Sequence, residues 1–276
     1  MKNNLSNVTK MALAGGIALG FAGQNASAAC NDIALGQLVG AANFVKGNAA
    51  EQLLTGGLGN HMWVTMVDET GKVCHVLNTA GAGQRSRKVW GLSRLISVQK
   101  ANTSALLSLD AVAPNSIQPW ASGALYLAVQ PVLDPATGLV SANVGGLQGS
   151  LFGVQHSNPV DASRAYLGDP RTYGTVDDPL IGKRTGGINV FGGGLPLYDG
   201  LKKIGAIGVS GDTSCTDQAF AWRVRENLAA TAGINTGAEI DAASVVTSEV
   251  LDITGRAYPD CIATITPKNN LDNGLK

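Results

Sequence analysis

An α+β fold, with one antiparallel β-sheet flanked by helices, is predicted by three observations. Two pairs of β-type runs stand far apart in the chain, residues 62–67 with 72–77 and residues 195–198 with 203–210. Turn-forming residues join each pair, Asp68-Glu69-Thr70-Gly71 in the first and Asp199-Gly200 in the second. A stretch with helical period then follows each pair. Two hairpin–helix units of this kind build an antiparallel sheet with helices on it, whereas a parallel sheet needs strand–helix–strand alternation.

Ahead of these units, residues 1–28 read as a secretory signal peptide. Lys2 and Lys10 give a positive start, residues 11–23 form a short apolar run, and Ala26-Ser27-Ala28 supplies a small-x-small cleavage site. About thirteen apolar residues are too few for a membrane-spanning helix, which needs about twenty. No later stretch is long and apolar enough to span. Lipidation at Cys30 ranks below release, because Ser27 stands where a lipoprotein site usually has leucine. The remainder, residues 29–276, is read as a single domain in the periplasm or the medium.

Charge narrows the choice of partners. The 20 basic and 20 acidic residues become 18 and 20 once the leader's two lysines are gone. Such a balance, without clustered Lys and Arg, carries no footprint for nucleic acid or an anionic membrane. Charged residues make up only 14% of the chain, so part of the surface is expected to be covered by sister subunits in a homo-oligomer.

Within the domain, Leu35, Leu38, Val39, Ala42 and Val45 suggest one or two helical stretches over residues 33–54, ended by Gly56-Gly57. After the first hairpin, a helix is expected over residues 88–109, with Leu92, Leu95, Ile96, Leu106 and Leu109 as its apolar stripe. An insert follows at about residues 115–185, rich in Gly, Pro, Asn and Asp, with strands expected over 124–131 and 150–156. Its later part, 157–185, reads as a long ordered loop, a type often functional in compact domains. Asp169-Pro170 and Asp177-Asp178-Pro179 read there as turn formers. Behind the second hairpin, Ser214 is expected to cap a helix carrying Phe220, Val224 and Leu228, with Asp217 as its capping partner. From about residue 235 a tail runs to the end, with one element expected over 240–253.

The four cysteines, Cys30, Cys74, Cys215 and Cys261, are even in number in an exported chain, which favours two disulfides. Three pairings are open. Cys30 with Cys74 and Cys215 with Cys261 is the expected one, since each bond ties a terminal segment to the nearer half of the domain. No CxxC or CxxCH run occurs, so neither a zinc ribbon nor ordinary covalent haem attachment is indicated.

The most informative segment runs from Gly186 through Gly192-Gly193-Gly194-Leu195-Pro196-Leu197 to Ile204-Gly205-Ala206-Ile207-Gly208-Val209-Ser210-Gly211. Glycine at this density lets backbone approach another backbone or a flat ligand, because no Cβ intervenes. The segment resembles the GlcG/HbpS-like haem-binding (haem-degrading) proteins, whose signature is a GGxPL-type strand, an Asp-Gly turn and a VGAIGVSG-type strand. Residues 66–73 are similar to that family's VVDxxGxLV hairpin, and residues 97–105 to its KAxTA helix. The resemblance implies the same α+β fold, a homo-oligomer, and haem or a related tetrapyrrole as ligand.

Candidate site residues follow from what haem requires: an axial donor, cationic or amide partners for its propionates, and close backbone approach. His156, placed at an expected strand end beside Asn158 and Pro159, is the expected axial and metal ligand, with His61 as its substitute. His75 alternates with Val73 and Leu77 and reads as a core or interface histidine. Lys183 and Arg184 stand at the edge of the glycine run, and Gly193 and Gly194 lie within it. Tyr173 is a conceivable phenolate ligand, although loop tyrosines usually pack their ring and bond their hydroxyl. Lys100 reads as half of a structural ion pair.

No GxSxG, HExxH, P-loop or well-placed GxGxxG is present. The leading expectation is therefore an exported tetrapyrrole-binding protein for haem handling or sensing. The alternatives are an oxidative haem-degrading enzyme and a secreted assembly subunit that shares the fold without a cofactor.

Overall fold

The computed structural model describes residues 28–47, 57–81, 88–110, 120–126, 129, 132–133, 140–141, 151 and 153–234. Residues 1–27 of the expected leader and the tail from residue 235 lie outside the described residues, as does the element expected over 240–253. Among the described residues, no helix is long and apolar enough to cross a membrane.

The α+β expectation holds. Strands β1 (Trp63–Asp68) and β2 (Val73–Asn78) form the first hairpin, and β5 (Gly194–Asp199) and β6 (Lys202–Ser210) the second. The hairpins join through antiparallel β1 and β6, giving the order β2-β1-β6-β5. Between them, β3 (Val132–Leu133) and β4 (Val140–Ser141) make a separate two-stranded ribbon. Helix α3 (Ser93–Leu107) covers one face of the main sheet, while α1 (Ala28–Asp32), α2 (Leu35–Gly47) and α6 (Ser214–Ala232) lie on the other, and the short α5 (Ala162–Ala165) falls between the hairpins in the chain.

Strand alternation sorts the two cores. Val64 and Met66 point to the layer with Leu38, Phe220, Val224 and Leu228. Trp63 and Val67 point instead toward Val98, Ala101 and Ala105 of α3. The second layer is unusually tight. A Cβ on Gly208 would overlap the Ser97 carbonyl oxygen and the Ala101 amide, and one on Gly194 would overlap the Lys100 carbonyl. The glycines of the second hairpin thus let the sheet backbone meet the helix backbone.

This close approach overturns the expected orientation of α3. The stripe of Leu92, Leu106 and Leu109 does not enter the core; these residues are 67%, 56% and 59% exposed. The buried face is Ser93, Arg94, Ser97, Lys100, Asn102, Thr103 and Ser104 with Val98, Ala101 and Ala105. A helix lying against glycine backbone has room only for small side chains, or for long polar ones that thread to a partner, so the leucines face outward.

Two local expectations are also corrected. Residues 122–125 form a 3-10 turn and not the start of a strand, and residues 154–157 form the short helix α4 (Val154–Ser157) and not a strand end. At α6 the cap is Thr213, one residue before the expected Ser214, with its hydroxyl accepting from the Thr216 amide. Asp217 still reaches back toward the helix start, but to the Asp212 amide at 2.9 Å.

The Cys30–Cys74 disulfide forms as expected, with its Cα atoms 5.0 Å apart, and ties α1 to β2. Cys215 is also disulfide-bonded, and Cys261 lies outside the described residues. Cys30 and Cys74 are separated by 44 positions. Loop-closure arguments for a bridge of this span give a contribution of about 2–4 kcal/mol. Urea melts of the wild type and of Cys30→Ser/Cys74→Ser are expected to differ by that amount, and coincident midpoints would contradict it.

Candidate functional site

A cleft of about 530 Å³ opens beside the glycine-rich run, within the range of about 300–1,000 Å³ usual for small-molecule sites. Its walls come from three places: Asn102, Thr103, Leu106 and Leu107 of α3, Leu125 in the 3-10 turn with Leu151, Val154, Ser157, Asn158 and Pro159, and Gly186, Gly187 and Ile188. The outward leucine Leu106 therefore faces an open cavity.

Specific bonds hold these walls. Asn102 donates to the Gly187 carbonyl at 2.8 Å, and the Asn189 amide donates to Thr103 Oγ1 at 2.9 Å, fixing residues 187–189 along α3. Ser122 Oγ donates to the Phe191 carbonyl at 2.6 Å and accepts from the Gly194 amide at 2.8 Å. Residues 158–161 are laid against 185–186 by a Val160–Gly186 bridge and by Asp161 N–H to Thr185 O at 2.7 Å. Gly187 needs to be glycine twice over, since its φ is +85° and a Cβ would strike Val160 and Gln99.

The expected site residues divide by position. His156 is exposed on α4 and is absent from the cleft lining, although Val154, Ser157 and Asn158 all line it. Positions 154, 157 and 158 share one helical face, and 156 lies about 200° round from 154. His61 sits just ahead of β1, where its amide donates to the Lys88 carbonyl. Partial burial, then Lys46 and Lys88, hold its imidazole below the usual range. His75 donates from Nε2 to the Ile33 carbonyl at 2.9 Å, and burial lowers its pKa. This is the structural role expected for it.

Lys183 and Arg184 are exposed and do not line the cleft. Residues 182–183 pair with Val73 along the edge of β2, and the Arg184 guanidinium is engaged with Thr70 at 2.6 Å. Gly193 and Gly194 are buried against Val209, Lys100 and Ser122, so their backbone serves packing and is not presented to a ligand. Tyr173 takes its bland reading, with its hydroxyl donating to Leu167 O at 3.0 Å and its ring 3.6 Å from the Arg94 guanidinium.

Sequence reasoning passed over Asp178. Expected as a turn former, it is buried and accepts from Arg94 Nε at 3.0 Å, Gly174 N at 2.8 Å and Leu180 N at 2.9 Å. The other buried pair, Lys100 with Asp217 at 2.7 Å, is the ion pair expected of Lys100, which also donates to the Val209 carbonyl at 3.1 Å. Neither pair lines the cleft; both hold elements that do.

Residues 158–225 match the family described as haem degrading protein HbpS-like. This segment is similar to that family. It contains Asn158, Pro159, Gly186, Gly187 and Ile188 of the cleft wall, together with the second hairpin on which the resemblance was read. Among solved structures, the Klebsiella pneumoniae protein ORFY, described with the family model DUF336, is 21% identical. It aligns at a TM-score of 0.40 over 72% of this chain and 91% of its own. A PduOC:heme complex is 16% identical with a TM-score of 0.37, over 74% of this chain and 97% of its own. No curated protein sequence matches the chain.

Two of haem's demands can be tested against the cleft. An apolar wall for a flat ring is present in Leu106, Leu107, Leu125, Leu151, Val154 and Ile188. An axial donor is not: the polar lining is Asn102, Thr103, Ser157 and Asn158, with no imidazole, thiol, thioether or phenol among the described lining residues. Among the described lining residues the cleft offers an apolar surface to a ring and no donor to an iron.

Proposed function

We propose that the protein is an exported tetrapyrrole-binding protein that handles haem or a related ring without turning it over. The observation that carries this reading is the apolar cleft of about 530 Å³, which takes Asn158, Pro159, Gly186, Gly187 and Ile188 of its wall from the segment that matches the HbpS-like family. Export is supported by the leader-like residues 1–28 and by the Cys30–Cys74 disulfide, a bond that persists in oxidising compartments. A homo-oligomer is supported by the exposed Trp90, Leu92 and Leu109, apolar side chains that a sister subunit would cover. Residues 29–276 are read as one domain with the insert and tail described above.

Titrating the purified protein with haem, followed by absorbance, is expected to give saturable binding. Leu106→Glu, at an exposed wall position that tolerates a charge without repacking the core, is expected to weaken it by about tenfold or more, because a carboxylate would meet the apolar ring. Wild-type protein that binds no tetrapyrrole at all would remove this reading. Binding that is indifferent to Leu106→Glu would remove the cleft as its site.

A further inference from the structure

We propose that the cleft holds its tetrapyrrole as an apolar disc, by ring contact alone, with no protein bond to the iron. This rests on the function proposed above and sharpens it: the ligand class becomes the porphyrin ring itself, with or without a metal.

The donor set carries the inference. Asn102, Thr103, Ser157 and Asn158, the four polar side chains among the described lining residues, already bond to backbone, Ser157 Oγ donating to Val154 O at 3.1 Å. The Asn102 amide is engaged with Gly187 O at 2.8 Å, Thr103 Oγ1 donates to Gln99 O at 2.7 Å while accepting from Asn189, and the Asn158 amide donates to Val154 O at 2.8 Å. Such groups are weak partners for iron, which takes imidazole, thiolate, thioether or phenolate. The sequence closes the nearby alternatives. From residue 111 to residue 155 the insert contains no His, Cys, Met, Lys or Arg, and its one phenol is Tyr126. That ring is half-buried against Phe191, with centroids 5.5 Å apart, and is not among the cleft residues. His156 belongs to the right helix but lies off the face that lines the cleft.

The same chemistry settles where the carboxylates go. No Lys or Arg is among the described residues that line the cleft, and burying an unpaired carboxylate there would be very costly. The propionate edge therefore belongs in water, and the opposite edge, which carries vinyl and methyl groups, belongs against the apolar wall. Metal-free protoporphyrin IX carries the same ring and the same two carboxylates as haem, so comparing the two isolates the iron.

The experiment is a parallel titration of the full mature protein with haem and with metal-free protoporphyrin IX, repeated for His156→Ala, His61→Ala and Leu106→Glu. The expected result is dissociation constants for the two ligands within about fivefold of each other, a difference too small for a coordinate bond. The haem Soret position should be unchanged in both histidine variants, and Leu106→Glu should weaken both ligands alike. Haem binding tighter than the metal-free ring by more than about fivefold, or a Soret band displaced in either histidine variant, would overturn the inference while leaving the proposed function standing. Failure of both ligands to bind would overturn both.

Discussion

Asp217→Ala is expected to lower the unfolding free energy by about 3–5 kcal/mol, the usual cost of removing one partner from a buried ion pair. Asp217 and Lys100 are both buried, and their 2.7 Å contact joins α6 to α3 across the end of the sheet. Truncating the carboxylate leaves the Lys100 ammonium in the interior with only the Val209 carbonyl, and orphans the Asp212 amide. Replacing both residues, as Lys100→Met/Asp217→Leu, is expected to recover most of the loss, because neither charge then has to leave water.

The pH dependence has a definite sign. Burial, opposed by Lys100, pushes the Asp217 carboxyl up from 3.8 to about 6. A carboxyl raised in the folded state contributes stability that is fully present below its unfolded value and is lost as pH rises through about 6. The double variant should therefore compare most favourably with wild type above pH 6, and less so as pH falls toward 4. Urea melts of the three proteins at pH 7.5 and pH 5 measure all of this. A loss of less than about 1 kcal/mol for Asp217→Ala would mean that the pair is not buried as described.

Lys100 and Leu106 show what was legible in the sequence and what was not. Strand periodicity and the two turns, Asp68 to Gly71 and Asp199-Gly200, are local signals, and the hairpins they indicate are present. The orientation of α3 is set by a non-local fact, that Gly194 and Gly208 present bare backbone to it. Helical period alone aims the largest residues at the core, so Leu92, Leu106 and Leu109 were expected there, whereas Lys100 was expected as half of an ion pair and is one. A signal was available: a strand read as Ile204-Gly205-Ala206-Ile207-Gly208 offers its partner helix a face of small residues, and a face of small residues asks for small residues in return.

The candidate site was legible in part. Glycine density pointed to the neighbourhood of the cleft, since Gly186 and Gly187 line it. It did not separate glycines that face a cavity from Gly193 and Gly194, whose missing Cβ atoms make room for Lys100 and Val209. His156 was assigned on an expected strand, where alternate residues share a face. On the one-turn helix that forms instead, its neighbours Val154 and Ser157 take the cleft side. Asp178 was hidden by its own context, because Asp-Asp-Pro is a turn sequence whether or not one carboxylate is also recruited by an arginine 84 positions away.

That arginine is the second place where a large effect is expected. Arg94→Ala should cost about 3–5 kcal/mol and should loosen residues 161–182 selectively. Arg94 makes a two-point contact with Asp178 through Nε and Nη2, donates from Nη1 to Ala165 O at 3.1 Å, and lies 3.6 Å over the Tyr173 ring. One guanidinium thus ties α3 to three points of a segment made mostly of turns, with only short helical pieces of its own at Ala162–Ala165 and Pro170–Thr172. Without it, Asp178 remains a buried carboxylate with only the Gly174 and Leu180 amides as donors. Arg94→Lys keeps the charge but cannot reproduce the planar fork or the ring contact, so it is expected to restore only part of the stability. Because Val160 and Gly186 are bridged, loosening this segment should also disturb the cleft wall at Gly186 to Ile188 and weaken tetrapyrrole binding. Limited proteolysis should report new cleavage within 161–182 in Arg94→Ala while the sheet and α6 stay protected. A variant that melts within about 1 kcal/mol of wild type and gains no cleavage site would show that the segment is held by something other than Arg94.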